Sequence, residues 1–181
     1  MADELLDVVN DEDMVIKQAM RASVHEHGLQ HRGVHVILLT RAGKMLIQVR
    51  SRERAHYPSL WDCSASEHVK SGEEYHAAAM RGLEEELGVG HVELQPLVRF
   101  RMNYGPNDNE ISTLYKGVVD PADVRFDPVE IEKVDYYSLS ELQLLMQAGN
   151  TPFSHWFVQL LHWLLGLPSE MKIIETYKES Q

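Results

Sequence analysis

Residues 61–89, WDCSASEHVKSGEEYHAAAMRGLEEELGV, constrain this chain more than any other stretch. An extended run ends at Val69-Lys70 and a Ser71-Gly72 turn follows. A helical period then takes over, with Tyr75, Ala79, Leu83 and Leu87 on one face. Ser71 with Glu74 three residues later has the capping-box pattern, which predicts a helix starting at residues 72–73. Gly88 predicts its C-terminal stop. On another face Glu85 and Glu86 lie within a turn of Arg81, which reaches Glu85 at i,i+4. Carboxylates gathered near a helix end suit a hard divalent cation, and such an ion commonly carries a diphosphate. A solvated acidic face has the same composition, so the wider pattern has to decide.

The flanking sequence supplies the rest of a mixed sheet. Residues 5–9 and 14–19 predict an N-terminal hairpin, and residues 21–28 a loop or one helical turn. Residues 34–40 and 44–49 predict a second hairpin about Arg41-Ala42-Gly43. Further strands are expected at 91–100, 111–118 and 133–137, with a polar loop over 105–109. Ser138 or Ser140 caps a helix over 141–148. Residues 152–166 form the last helix, with Trp156, Leu160, Trp163 and Leu164 on one apolar face. The tail beyond Pro168 has no clear pattern. The expectation is one α/β domain over residues 31–168, led in by residues 1–30 and followed by a tail over 169–181.

A length of 181 residues allows one domain with a good core. A formal charge of −11 argues against sequence-independent binding to nucleic acid or anionic membrane. Cys63 is the single cysteine, so an internal disulfide is excluded and a reducing compartment is expected. The acidic N-terminus lacks signal-peptide character, and the apolar run over 156–167 is too short to span a bilayer. The expected setting is cytoplasmic, with a small molecule as partner; oligomeric state has no signature.

The spacing over 67–89 resembles the Nudix box, G-x5-E-x7-R-E-U-x-E-E-x-G-U, where U is bulky and apolar. Glu73, Arg81, Leu83, Glu85, Glu86, Gly88 and Val89 match. Two positions depart: Glu67 stands in place of the first glycine, and Gly82 in place of the first glutamate of the R-E pair. The resemblance implies an α/β/α sandwich with a mixed central sheet. It also implies that a glutamate at 82 would serve as metal ligand or as base. A glycine inside a helix costs about 1 kcal/mol relative to alanine. Either the site has lost a carboxylate, or something packs close against that backbone.

Beyond the box, the chain resembles the branch containing the type I isopentenyl-diphosphate isomerases. The matching residues run from Arg21 through the histidines before the first core strand to Trp156. That likeness implies a metal site of His25, His31, His68, Asp108 and Glu110, with His27 as the alternative to His25. It also implies a Mg²⁺ site using Glu86 and a backbone carbonyl near Ser66. Imidazole with carboxylate suits Mn²⁺, Zn²⁺ or Fe²⁺, whereas all-oxygen coordination suits Mg²⁺. Mg²⁺ or Mn²⁺ is the expected cofactor. Arg50 and Arg54, with Arg21 as a third charge, are spaced for the edge of a phosphate pocket. An exposed basic loop would have the same spacing. Tyr104 and Trp156 are available to wall an apolar group, although core packing is the default for Trp156.

The main departure is Ser66, which occupies the place of the isomerases' catalytic cysteine. A hydroxyl is a far weaker acid than a thiol. Cys63, three residues earlier on a regular strand, is expected to face the opposite way. Three functions follow. The first is a metal-dependent hydrolase of a nucleotide or prenyl diphosphate, with Glu85, Glu86 and Glu110 as catalytic carboxylates. The second is an isopentenyl-diphosphate isomerase. The third is a non-catalytic module that binds a phosphorylated metabolite.

Overall fold

The structure is a computed structural model that describes residues 3–54 and 56–178. Strands β1 (Leu5–Val9) and β2 (Val15–Met20) form the expected N-terminal hairpin, and α1 (Arg21–Glu26) is a single short helix after it. The Asn10 side chain organises the hairpin turn by accepting from the amides of Glu12 and Met14.

The sheet is built around β3 (His31–Leu39). It meets β1 at His31 and pairs antiparallel with β4 (Met45–Arg50) at Leu39. Beyond the two-residue β5 (Trp61–Asp62), strand β6 (Ala65–His68) lies antiparallel to β3 over Gly33–Val36. On the other side, β8 (Asn109–Val118) runs parallel to β3, with His31 opposite Glu110 and Leu39 opposite Val118. β7 (Gln95–Asn103) pairs antiparallel with β8, and β9 (Ile131–Tyr137) with β4. The sheet is therefore mixed.

Period-two alternation along β3 sends apolar side chains to both faces. Val34, Val36 and Leu38 pack beneath α2 (Tyr75–Leu87), against Ala78, Ala79, Leu83 and Leu87. Ile37 lies on the opposite face with Val98 and Phe100, beneath α3 (Leu139–Ala148) and α4 (His155–Leu164). Leu142, Phe157, Leu160 and Leu161 fill that second core. Two cores on the two faces of one sheet make the expected α/β/α sandwich. Among the described residues no helix is long and apolar enough to cross a membrane.

The structure departs from the sequence-based expectations at four places. Helix α2 starts at Tyr75, and Glu74 at its N-cap makes no side-chain cap bond. Ser71 instead donates its hydroxyl to Asp7 (2.7 Å), and Asp7 also accepts from the Gly72 amide (3.0 Å). A carboxylate from β1 is the stronger acceptor, and it ties the hairpin to the turn. The tail contains β10 (Lys172–Thr176), which pairs with β7. The strand expected from residue 91 begins at Gln95. Finally, Cys63 and Ser66 are neighbours, with Sγ and Oγ 3.2 Å apart. Regular strand geometry is interrupted at Cys63-Ser64 between β5 and β6, so alternation does not carry across.

Candidate metal centre and diphosphate site

The register of β3 assembles the first constellation. His31 lies beside Glu110 on β8, and two residues on, Gly33 lies opposite His68 on β6. Gly33 has a physical reason to lack a side chain, because a Cβ there would overlap the Glu110 carboxylate. Helix α1 brings in His25, and the loop between β7 and β8 brings in Asp108. One ligand atom from each of His25, His31, His68 and Asp108 lies within 4.8 Å of the others. Glu110 adjoins them, 3.6 Å from His31 Nε2 and 3.7 Å from His68 Nε2. His27 is exposed and bonded through Nδ1 to the Ser23 carbonyl, so His25 is the histidine of α1 that joins the group.

The hydrogen bonds fix how these groups point. His31 Nδ1 lies 3.0 Å from the Leu29 carbonyl, which can only accept, so Nδ1 carries the proton and Nε2 faces the group. Orientation of one imidazole nitrogen by a backbone carbonyl is the arrangement that metal-binding histidines need. His31 Nε2 and Asp108 Oδ1 are both buried without a hydrogen-bond partner. Orphaned polar atoms facing one another across a few ångströms fit a bound cation.

Without an ion the group balances its own charge. Burial raises carboxylate pKa values, but the charge of His31 beside it, with the neighbouring histidines, holds Glu110 down at about 2. Asp108, desolvated and beside Glu110, is pushed up to about 7. His31 is raised: burial opposes its charge, and the negative charge of Glu110 and Asp108 beside it outweighs that. Burial lowers His68 to about 3. Arg21 lies close enough for its charge to lower both His25 and Asp108.

A second constellation surrounds α2. Arg81 Nε donates to Glu73 (2.9 Å), while its Nη1 lies 3.3 Å from both Glu67 and Glu85. Its Nη2 donates to the His68 carbonyl at 2.8 Å, which links this side of β6 to the histidine group. Glu85 is 55% exposed and stands outside that group. Glu86 is 3% exposed, accepts from Gln48 Nε2 at 2.8 Å and lies 3.7 Å from Arg54. Burial, with Glu67 next in weight, pushes Glu86 up to about 8. Gly82 is buried against Glu67: a Cβ there would stand 2.5 Å from Glu67 Cγ. Close packing against residue 82 is thus present.

A third set lines the β3–β8 face. Glu110 accepts from Ser112, whose hydroxyl accepts from Tyr104 (2.8 Å for each bond). The Tyr104 hydroxyl lies 2.8 Å from His35 Nε2, and His35 Nδ1 lies 2.9 Å from Ser66 Oγ. Because the ionised Glu110 only accepts, the bonds run in one direction, and Ser66 donates to His35. Cys63 is fully buried, and burial pushes its thiol well above the ordinary value. Trp156 belongs to the core and donates Nε1 to the buried Asp62 at 2.7 Å. Arg50, 6% exposed, lies 3.6 Å from Asp62 and donates to the carbonyls of His56 and Tyr57. It braces the loop after β4. Arg54 forms an ion pair with Glu130 at 2.9 Å and, of Arg50 and Arg54, is the one nearer the α2 carboxylates.

Gly33, Gln48, Asp62 and Ser112 were not singled out from sequence, and His35 stood out only as one of the histidines clustered with His25, His27 and His31. Of the unnoticed residues only Gly33 carried a signal, a glycine between His31 and His35 just ahead of the expected strand.

A family model described as NUDIX domain matches residues 29–157. The chain is 38% identical over 97 residues to an uncharacterized Nudix hydrolase of Pseudomonas aeruginosa, a match spanning 54% of this chain and 57% of that protein. It is 32% identical over 163 residues to an isopentenyl-diphosphate Δ-isomerase of Streptomyces coelicolor, covering 87% of this chain and 81% of the relative. Among solved structures, a Deinococcus radiodurans protein superimposes with a TM-score of 0.75 at 26% identity, over 88% of this chain and 98% of that one.

Proposed function

The chain belongs to the Nudix family, and from that premise we propose that it is a divalent-metal-dependent hydrolase. Its reaction is cleavage of a diphosphate linkage in a nucleotide or prenyl diphosphate-type substrate. The observation that carries this reading is the pair of orphaned buried atoms, His31 Nε2 and Asp108 Oδ1, within the histidine–carboxylate group. His25, His31, His68, Asp108 and Glu110 would hold one ion, and Glu86 a second. Such ions supply charge neutralisation at phosphate oxygens and a lowered water pKa.

The chain's own residues supply the rest. Arg21 and Arg54 bring positive charge to the two ends of the site. Arg81 holds Glu85 at the solvent side, where it can take a proton from water. Glu110 stays ionised because the charge of His31, 3.6 Å away, outweighs its burial, and the Ser112 hydroxyl donates to it. Ser66 spends its proton on His35, and Cys63 is buried as a thiol. Neither offers the acid a carbon-protonation reaction needs, whereas attack of water on phosphorus needs none.

Isopentenyl-diphosphate isomerase is the second reading. It is favoured by the assembled histidine–carboxylate group and by the length of the match to the Streptomyces coelicolor enzyme. Incubation with isopentenyl diphosphate and with nucleoside diphosphate derivatives, in deuterated buffer with Mg²⁺ and Mn²⁺, separates the two. Release of phosphate or diphosphate without deuterium exchange supports the hydrolase. Deuterium incorporation with the diphosphate intact overturns it in favour of the isomerase.

A further inference from the structure

The two departures from the Nudix box, Glu67 and Gly82, are a single exchange in space. Glu67 lies on β6, on the face of the sheet that carries α2, and its Cγ occupies the room that a side chain at position 82 would need. Any Cβ at 82 collides with it at 2.5 Å. The glycine at 67 and the glutamate at 82 of the box have traded places, with the carboxylate arriving from the strand instead of the helix.

The surroundings are short of positive charge. Glu67, Glu73 and Glu85 share the one guanidinium of Arg81, and Glu86 lies in the same neighbourhood with Arg54, whose charge is shared with Glu130 at 2.9 Å. Gln48, fully buried on β4, donates Nε2 to Glu86 and to the Ser64 carbonyl, and its Oε1 is left without a partner. A buried carbonyl-type oxygen with nothing to accept from, on a side chain bonded to one of the surplus carboxylates, fits a hard cation with oxygen ligands. A solvated acidic face would carry no such orphan.

We infer that Glu67 is a ligand of the oxygen-coordinated divalent site, acting with Glu86 and replacing the carboxylate absent from position 82. The inference rests on the proposed metal dependence and adds a residue to it. Gly82 is then a positioning residue, kept without a side chain so that Glu67 can lie over the helix.

The test is binding of Mg²⁺ and Mn²⁺ to the protein without substrate, by calorimetry and by electron paramagnetic resonance. Glu67→Gln preserves size and is expected to lower Mg²⁺ affinity at least ~10-fold, the scale of losing one coordinating group. Gly82→Ala is expected to lower it similarly by displacing Glu67. The double variant Glu67→Gly/Gly82→Glu is expected to recover most of the wild-type affinity, with an unchanged melting temperature. Wild-type Mg²⁺ affinity in Glu67→Gln would overturn the inference, as would a folded double variant no better than Glu67→Gln. Nitrogen couplings mark Mn²⁺ on the histidines and are absent from an all-carboxylate site. Their loss in the wild type would sink the histidine site without touching the Glu67 result.

Discussion

Single atoms decide most of this site. Gly33 is required because Glu110 occupies the space of its Cβ, so Gly33→Ala should push that carboxylate out of line. A fall in Mn²⁺ affinity of about 10–100-fold, read by calorimetry, is the expected result for disturbing a ligand's support; unchanged affinity would mean that Glu110 is free to shift. His25→Ala should weaken Mn²⁺ binding on the same scale, whereas His27→Ala should leave it within experimental error. Cys63→Ala should retain metal-dependent turnover, since a buried thiol held in the un-ionised form has no chemical role; loss of turnover in a folded Cys63→Ala protein would contradict the site as described. Residue types and spacing made much of this legible. His31, His68, Asp108 and Glu110 were implied by resemblance; strand register brings His31, His68 and Glu110 together, and the β7–β8 loop delivers Asp108. The choice of His25 over His27 depended on how α1 ends, which a one-residue difference in spacing obscures. The Cys63–Ser66 contact was hidden by a strand interruption of two residues.

At the scale of elements, apolar periodicity announced α2, α4 and the central strands, because each buries a continuous face. Their ends were less legible. The start of α2 is set by Asp7, a residue from β1 about sixty positions away, which takes the Ser71 hydroxyl from any local cap. β10 was invisible because its five residues are all exposed and it gains its conformation from the edge of β7. Truncation after Pro168 should therefore expose that edge and remove buried Met171 from the second core. Hydrogen exchange at residues 98–101 should accelerate in the truncated chain while the amides of α2 keep their protection. Uniform exchange in both proteins would show that β10 adds no protection to β7.

For the whole molecule, the site's charges set a pH dependence that metal should cancel. Asp108 is raised to about 7 and Glu86 to about 8 in the fold, and His31 is raised above its ordinary value. Each of these groups binds more protons folded than unfolded as pH rises above about 6.5, so folded-state stability falls with pH there. His68, lowered to about 3, is neutral in both states above that point and does not oppose the trend. The metal-free protein should thus melt lower at pH 8.5 than at pH 6.5, and saturating Mn²⁺ should raise the melting temperature more at pH 8.5. A flat or rising profile without metal would contradict the carboxylate surplus. The most direct test of the whole account is pulsed electron paramagnetic resonance of the Mn²⁺ complex with a non-hydrolysable diphosphate. Nitrogen couplings from imidazole and phosphorus couplings from the diphosphate in the same complex, with the nitrogen couplings lost in His31→Ala, are the predicted result. A Mn²⁺ ion with phosphorus couplings but no nitrogen couplings would place the diphosphate chemistry away from the histidine group and contradict it.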